Sequence, residues 1–115
     1  MLGHGDAVLL RILIGDDDTY GDAPLSEAIV RETRQTGLAG ATVLRGVLSY
    51  GASSMFHRYD GLFSRDLPIV VEIIDTEEKI ASFLPLLERM MRGGLVTTQP
   101  IRIVRSLQKV SPPGQ

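Results

Sequence analysis

The stretch Leu67-Pro68-Ile69-Val70-Val71-Glu72-Ile73-Ile74-Asp75-Thr76-Glu77-Glu78-Lys79-Ile80 decides the fold, because its periodicity changes halfway along. Leu67 to Ile74 is strongly β-branched and reads as a strand, with Pro68 tolerated at the entrance. Beyond Asp75 the apolar residues Ile80, Phe83, Leu84, Leu87 and Met91 recur at helical spacing. Asp75 with Glu78 three residues on predicts a capping box for that helix. Pro85 predicts a kink, since it removes a hydrogen bond and crowds the carbonyl of Ala81. Gly93-Gly94 ends the helix, and Leu95 to Val104 supplies a last strand with a break expected at Pro100.

Upstream the same order occurs once more. Ala7 to Ile14 is an apolar run broken only by Arg11, a buried strand by its length and the flanking Gly15. Glycines and aspartates over 15–22 suit turns. A helix then runs from Pro24 to about Thr36, burying Leu25, Ala28 and Ile29, with Gly37 as its left-handed cap and Leu38 folding back. Ala41 to Tyr50 reads as a strand in which Gly46 marks a bulge or a close backbone approach. Gly51 to Asp66 has no clean period and is expected to be a long polar loop. The order is βαββαβ: an α+β, ferredoxin-like domain with a four-stranded antiparallel sheet and two helices on one face. The expected boundaries are a flexible N-terminus over 1–6, one domain over 7–108 and a flexible tail over 109–115.

Composition narrows the function classes. The 115 residues hold 43% apolar and 23% charged side chains, the balance of one globular domain. Twelve basic against 14 acidic residues leave a formal charge of -2, so no bulk attraction toward nucleic acid or anionic lipid is expected. There is no cysteine, which excludes disulfides, thiolate metal sites and cysteine nucleophiles. No apolar run is long enough to span a bilayer and the N-terminus lacks a signal-peptide pattern. A cytoplasmic protein that is not membrane-embedded is the expectation.

With both helices on one sheet face, the opposite face should alternate polar residues into water. Here Leu9, Arg11 and Leu13, then Val43, Arg45 and Val47, then Val70, Glu72 and Ile74 are expected to share that face, each strand apolar around one central charge. Self-association would cover it and put Arg11, Arg45 and Glu72 at or near a subunit interface. The competing reading is that these charges snorkel at the edge of a wet face.

Gly37-Leu38-Ala39-Gly40-Ala41-Thr42-Val43, Tyr50-Gly51 and Leu67-Pro68-Ile69-Val70-Val71-Glu72-Ile73 resemble the PII nitrogen-regulatory signal transducers. The similarity is closer to an uncharacterised family of PII-like proteins. It is carried by Ile14-Gly15, Pro24-Leu25, Ala28-Ile29, Gly40-Ala41-Thr42-Val43-Leu44-Arg45-Gly46, Asp66-Leu67-Pro68, Phe83-Leu84-Pro85 and Gly94-Leu95-Val96. The resemblance implies a ferredoxin-like homotrimer with a mobile loop after the second strand. It also implies an adenine nucleotide effector in the clefts between subunits, and a partner protein, a transporter or enzyme, met by the loop. On matching positions it puts Thr42, Gly51 and Glu72 near such a cleft. The glycine- and lysine-rich phosphate turn of PII is here only Arg92-Gly93-Gly94, without lysine. That departure speaks against triphosphate binding in the PII manner and leaves room for a smaller or less charged ligand. Arg102 and Arg105 are a loose echo of the C-terminal arginines of PII, and no modification site carries over to Tyr59.

Other chemistries have weaker support. Asp16, Asp17, Asp18 and Asp22 lack the ligand alternation of an EF-hand, and turn formation explains them more simply. His57 beside Arg58 could meet an anion, although a loop histidine is more often solvated. Ser53 and Ser54 near His57 have nothing to orient the imidazole as a base. Base stacking on this fold would need aromatic residues where Leu9, Leu13, Val70 and Ile74 stand. The sequence therefore points to a PII-like regulator and no enzyme, with Arg45, Arg58 and Arg102 as anion contacts because guanidinium forks suit carboxylate and phosphate oxygens. The alternative is a small ferredoxin-like enzyme using the same clefts.

Overall fold

The computed structural model describes residues 5–46, 48–50, 56–58 and 67–106. Strand β1, Gly5–Gly15, pairs antiparallel with β7, Pro68–Asp75, on one side and with β8, Leu95–Ile103, on the other. Strand β4, Thr42–Arg45, adds to β7, giving the order β4-β7-β1-β8. Helices α1, Leu25–Gln35, and α2, Glu77–Met90, complete the expected βαββαβ arrangement. Short additions lie between: β2, Thr19–Tyr20, pairs with β3, Ala23–Pro24, and β5, Leu48–Tyr50, pairs with β6, Phe56–Arg58.

The core lies between the sheet and the helices. Leu10 and Ile12 of β1, Val71 and Ile73 of β7, Ile29 of α1, and Phe83 and Leu87 of α2 are all buried. From Leu9 to Ile14 in β1 and along β7 the alternation thus follows the period-2 reading. At the end of α1, Gly37 has φ +81°. Its N–H donates to the Arg34 carbonyl and the Leu38 N–H to the Thr33 carbonyl, a Schellman cap that folds Leu38 back on the core. No helix among the described residues is long and apolar enough to cross a membrane.

Five details depart from the sequence reading. The expected strand Ala41 to Tyr50 is two strands, β4 and β5, while the close backbone approach expected at Gly46 is present: a Cβ there would meet Pro68 Cγ at 2.5 Å, and the Gly46 N–H donates to the Pro68 carbonyl. The segment expected to be loop throughout contains β6, which pairs Phe56 with Tyr50 and Arg58 with Leu48. Pro100 does not interrupt β8, which stays paired through Val8↔Pro100; an edge strand tolerates a missing N–H. Thr76, and not Asp75, caps α2, its side chain accepting from the Lys79 N–H at 3.3 Å.

The fifth concerns β4. Its register pairs Thr42 with Glu72 and Leu44 with Val70, and directly paired residues share a face. Thr42 and Leu44 therefore lie on the open face, whereas Val43 and Arg45 lie on the helix side. An edge strand exposed at all four positions carries no burial signal to set the phase of its alternation.

Candidate functional site

The open face is organised in rows that the strand registers define. Leu95, Leu13, Val70 and Leu44 form one row, and Thr97, Arg11, Glu72 and Thr42 the next. In the second row Arg11 Nη2 lies 2.7 Å and Nε 2.9 Å from Glu72 Oε2. The pair is partly solvated, with side chains 44% and 26% exposed, so its energetic worth is about 1 kcal/mol or less. Its consequence is geometric: it biases the Glu72 carboxylate toward Arg11 along the row. Apolar residues around it are uncovered, among them Leu44 at 49%, Ile74 at 40% and Leu95 at 54% exposure.

Where this face meets the C-terminal end of β7, a cleft of about 460 Å³ opens, within the range of about 300–1,000 Å³ common for small-molecule sites. Thr42 and Glu72 line it with Ile74 and Ile103, the turn residues Ala39 and Gly40 form a wall, and the chain after β8 adds Arg105. The cleft thus offers a hydroxyl, a carboxylate, a guanidinium and two branched apolar side chains. That set suits a ligand with a flat or apolar body, hydroxyl groups and one anionic end.

The other sequence candidates lie elsewhere. Arg45 pairs with Asp16 at 3.1 Å on the helix side of the sheet. Arg102 lines a larger hollow of about 920 Å³ at the start of α2, in the company of Asp6, Glu77 and Glu78. Three carboxylates against one guanidinium make that hollow a poor place for an anion within one protomer, despite its size. Gly51 and the side chains of His57 and Arg58 lie outside the described residues, as do Val47, Tyr59 and most of the segment 51–66. Among the described residues no group of three His, Cys, Asp or Glu could hold a metal ion. Asp18 instead accepts from the Gly15 N–H at 2.8 Å, a turn contact.

The sequence reading names Arg105 only as a loose echo of the PII arginines, and it misses the long-range bond of Asp75. Arg105 joins Thr42 and Glu72 because the chain turns toward the open face after Ile103, which no periodicity announces. Behind the Ala39–Gly40 wall the buried Asp75 accepts through Oδ2 from the Ala39 N–H at 2.8 Å.

Comparison with known proteins agrees with this architecture. The family described as DUF190, Uncharacterized ACR, COG1993, matches residues 7–103. A UPF0166 protein of Aquifex aeolicus is 34% identical over 97 residues, covering 84% of this chain and 91% of that one. A UPF0166 protein of Methanocaldococcus jannaschii is 30% identical over 91 residues, covering 78% and 84%. Among solved structures, a nitrogen regulatory PII-like protein from Thiomonas intermedia, bound to ADP, AMP and bicarbonate, superposes with a TM-score of 0.63 at 18% identity, covering 89% of this chain and 92% of that one. A putative PII-like signaling protein from Thermus thermophilus gives 0.66 at 17% identity, covering 90% and 94%. The ferredoxin-like fold and the resemblance to PII-like proteins expected from the sequence are borne out.

Proposed function

We propose that this chain, which belongs to the DUF190 family, is a PII-like regulator that binds an adenine nucleotide or a similar small anionic effector in the cleft at Thr42, Glu72 and Arg105. The observation that carries this reading is that Thr42, Glu72 and Arg105 line one cleft at the end of the open face, on a fold whose neighbour from Thiomonas intermedia holds ADP, AMP and bicarbonate. Arg105 meets the anionic end and Glu72 a ribose hydroxyl, while Ile74 and Ile103 pack against the base. The assembly is a homotrimer in which other copies cover the exposed Leu44, Ile74 and Leu95. Across the subunit boundary Arg45, Arg58 and Arg102 supply further anion contacts. The segment 51–66, beginning at Gly51, reports the ligand state to a partner protein through differential affinity of the ligand for two states. The protein acts in the cytoplasm and by binding alone, with no catalytic step.

The test is the melting temperature of the purified oligomer with ADP, AMP, ATP, bicarbonate and small carboxylates. A ligand at a hundred times its Kd stabilises the folded state by about 2.7 kcal/mol. We expect a rise with ADP or AMP that shrinks in Arg102→Ala and Arg105→Ala. Absence of any rise with the adenine nucleotides would remove the effector reading and leave the fold intact.

A further inference from the structure

Asp75 is the one charged residue fully buried among the described residues, at 1% exposure. A carboxylate taken out of water is costly unless hydrogen bonds replace its hydration. Here Oδ1 accepts from the neighbouring Thr76 N–H at 2.7 Å and Oδ2 from the Ala39 N–H at 2.8 Å. The first bond is local, but the second joins residues 36 positions apart. Continuing the β4–β7 register outward from the Thr42–Glu72 pair brings Ala39 opposite Asp75. At that point the backbone ladder has ended and a side chain takes its place.

What the carboxylate holds is a wall of the candidate cleft. Ala39 and Gly40 line it beside Thr42, yet both are exposed and neither has enough side chain to be fixed by packing. The wall is anchored from behind. The Schellman cap fixes Leu38 to α1, Asp75 grips Ala39, and Lys79 Nζ of α2 reaches the Gly37 carbonyl at 3.4 Å. Among the described residues the side-chain hydrogen bonds of Asp75 go to Ala39 and Thr76 and not to Thr42, Glu72 or Arg105, so its effect on the cleft is indirect.

We propose that Asp75, assisted by Lys79, is a positioning residue of the effector cleft, its buried carboxylate holding the Ala39–Gly40 wall in the place that binding requires. The proposal rests on the cleft being the effector site, and it ties ligand affinity to the start of α2. Removing the grip would leave the wall able to swing away from Glu72 and Arg105 without unfolding the sheet.

The test pairs two readouts on full-length protein. Amide hydrogen exchange at Ala39, measured without ligand, reports the wall; calorimetric titration with ADP reports the cleft. Asp75→Asn keeps shape but can accept on one side only, so we expect exchange at Ala39 to speed up about tenfold or more and ADP affinity to fall by a similar factor. Thr76→Ala, which removes the α2 cap and leaves the Asp75–Ala39 bond, should lower the melting temperature without either change. Lys79→Met, on an exposed side chain, should fold whatever Asp75→Asn does and weaken ADP binding about twofold to threefold, as loss of a solvated contact does. Unchanged Ala39 exchange in Asp75→Asn, or faster exchange with unchanged ADP affinity, would overturn the proposal. So would an affinity loss in Thr76→Ala equal to that in Asp75→Asn. Should the unaltered protein bind no ADP, the nucleotide reading falls, and the exchange rate at Ala39 alone decides whether Asp75 holds the wall.

Discussion

Replacing Gly94 by alanine should damage this fold far more than replacing Gly93, although the two residues are adjacent and share one turn. Gly94 has φ +103°, and a Cβ there would stand 2.5 Å from the Leu13 carbonyl oxygen and 3.0 Å from the Met91 side chain. The backbone conformation alone costs an L-residue about 1–2 kcal/mol. The contact is with backbone of the central strand β1, so it is relieved only by moving β8 or β1, at a further ~1–3 kcal/mol. Together they predict a loss of about 2–5 kcal/mol for Gly94→Ala, against a total stability of about 5–15 kcal/mol for a domain of this kind. At Gly93 a Cβ would meet nothing within 4 Å and φ is not in the left-handed range, so Gly93→Ala should stay within about 0.5 kcal/mol or stabilise slightly. Urea unfolding followed by circular dichroism, at one fixed protomer concentration, measures both. Equal losses for the two variants, or a Gly94→Ala midpoint indistinguishable from the parent, would refute the claim that β1 leaves no room beside this turn.

Other expectations follow from burial and register. Leu87→Ala, at a position with no exposed surface facing the sheet, should cost about 2–5 kcal/mol in the same assay. Arg45→Ala, which breaks a pair whose partners are 57% and 31% exposed, should cost no more than about 1 kcal/mol, checked by the urea midpoint. Leu44→Lys puts a charge on the open face at the edge of the sheet. Sedimentation analysis should show it dissociated into folded protomers while the parent stays associated, and a parent that is monomeric throughout would remove the trimer from the account.

Much of this architecture is legible in the sequence where burial is one-sided. The β1 and β7 runs alternate because every second residue meets the helices, and Gly37 marks the end of α1 because only a left-handed residue closes that cap. Legibility fails where burial does. The edge strand β4 is exposed on both sides, so nothing in its side chains fixes whether Thr42 or Val43 shares the face of Glu72. Only the Thr42–Glu72 pairing with β7 decides that. Asp75 looks like a helix cap in sequence because its spacing to Glu78 fits a capping box. In three dimensions Thr76 takes the cap, and the better use of a buried carboxylate is the long-range N–H of Ala39. The site was half legible for the same reason. Thr42 and Glu72 come together through strand pairing, whereas Arg105 arrives through the path of the chain after β8.

The central claim is that the Thr42–Glu72–Arg105 cleft takes an adenine nucleotide, and calorimetric titration of ADP into the unaltered protein, Arg105→Ala and Arg89→Ala tests it most directly. Arg89 is exposed on α2 and lines none of the clefts described. The account predicts a saturable isotherm that weakens about tenfold in Arg105→Ala, the scale of a charge-assisted hydrogen bond, and is unchanged in Arg89→Ala. No binding heat in the unaltered protein, or equal affinity in all three, would contradict it.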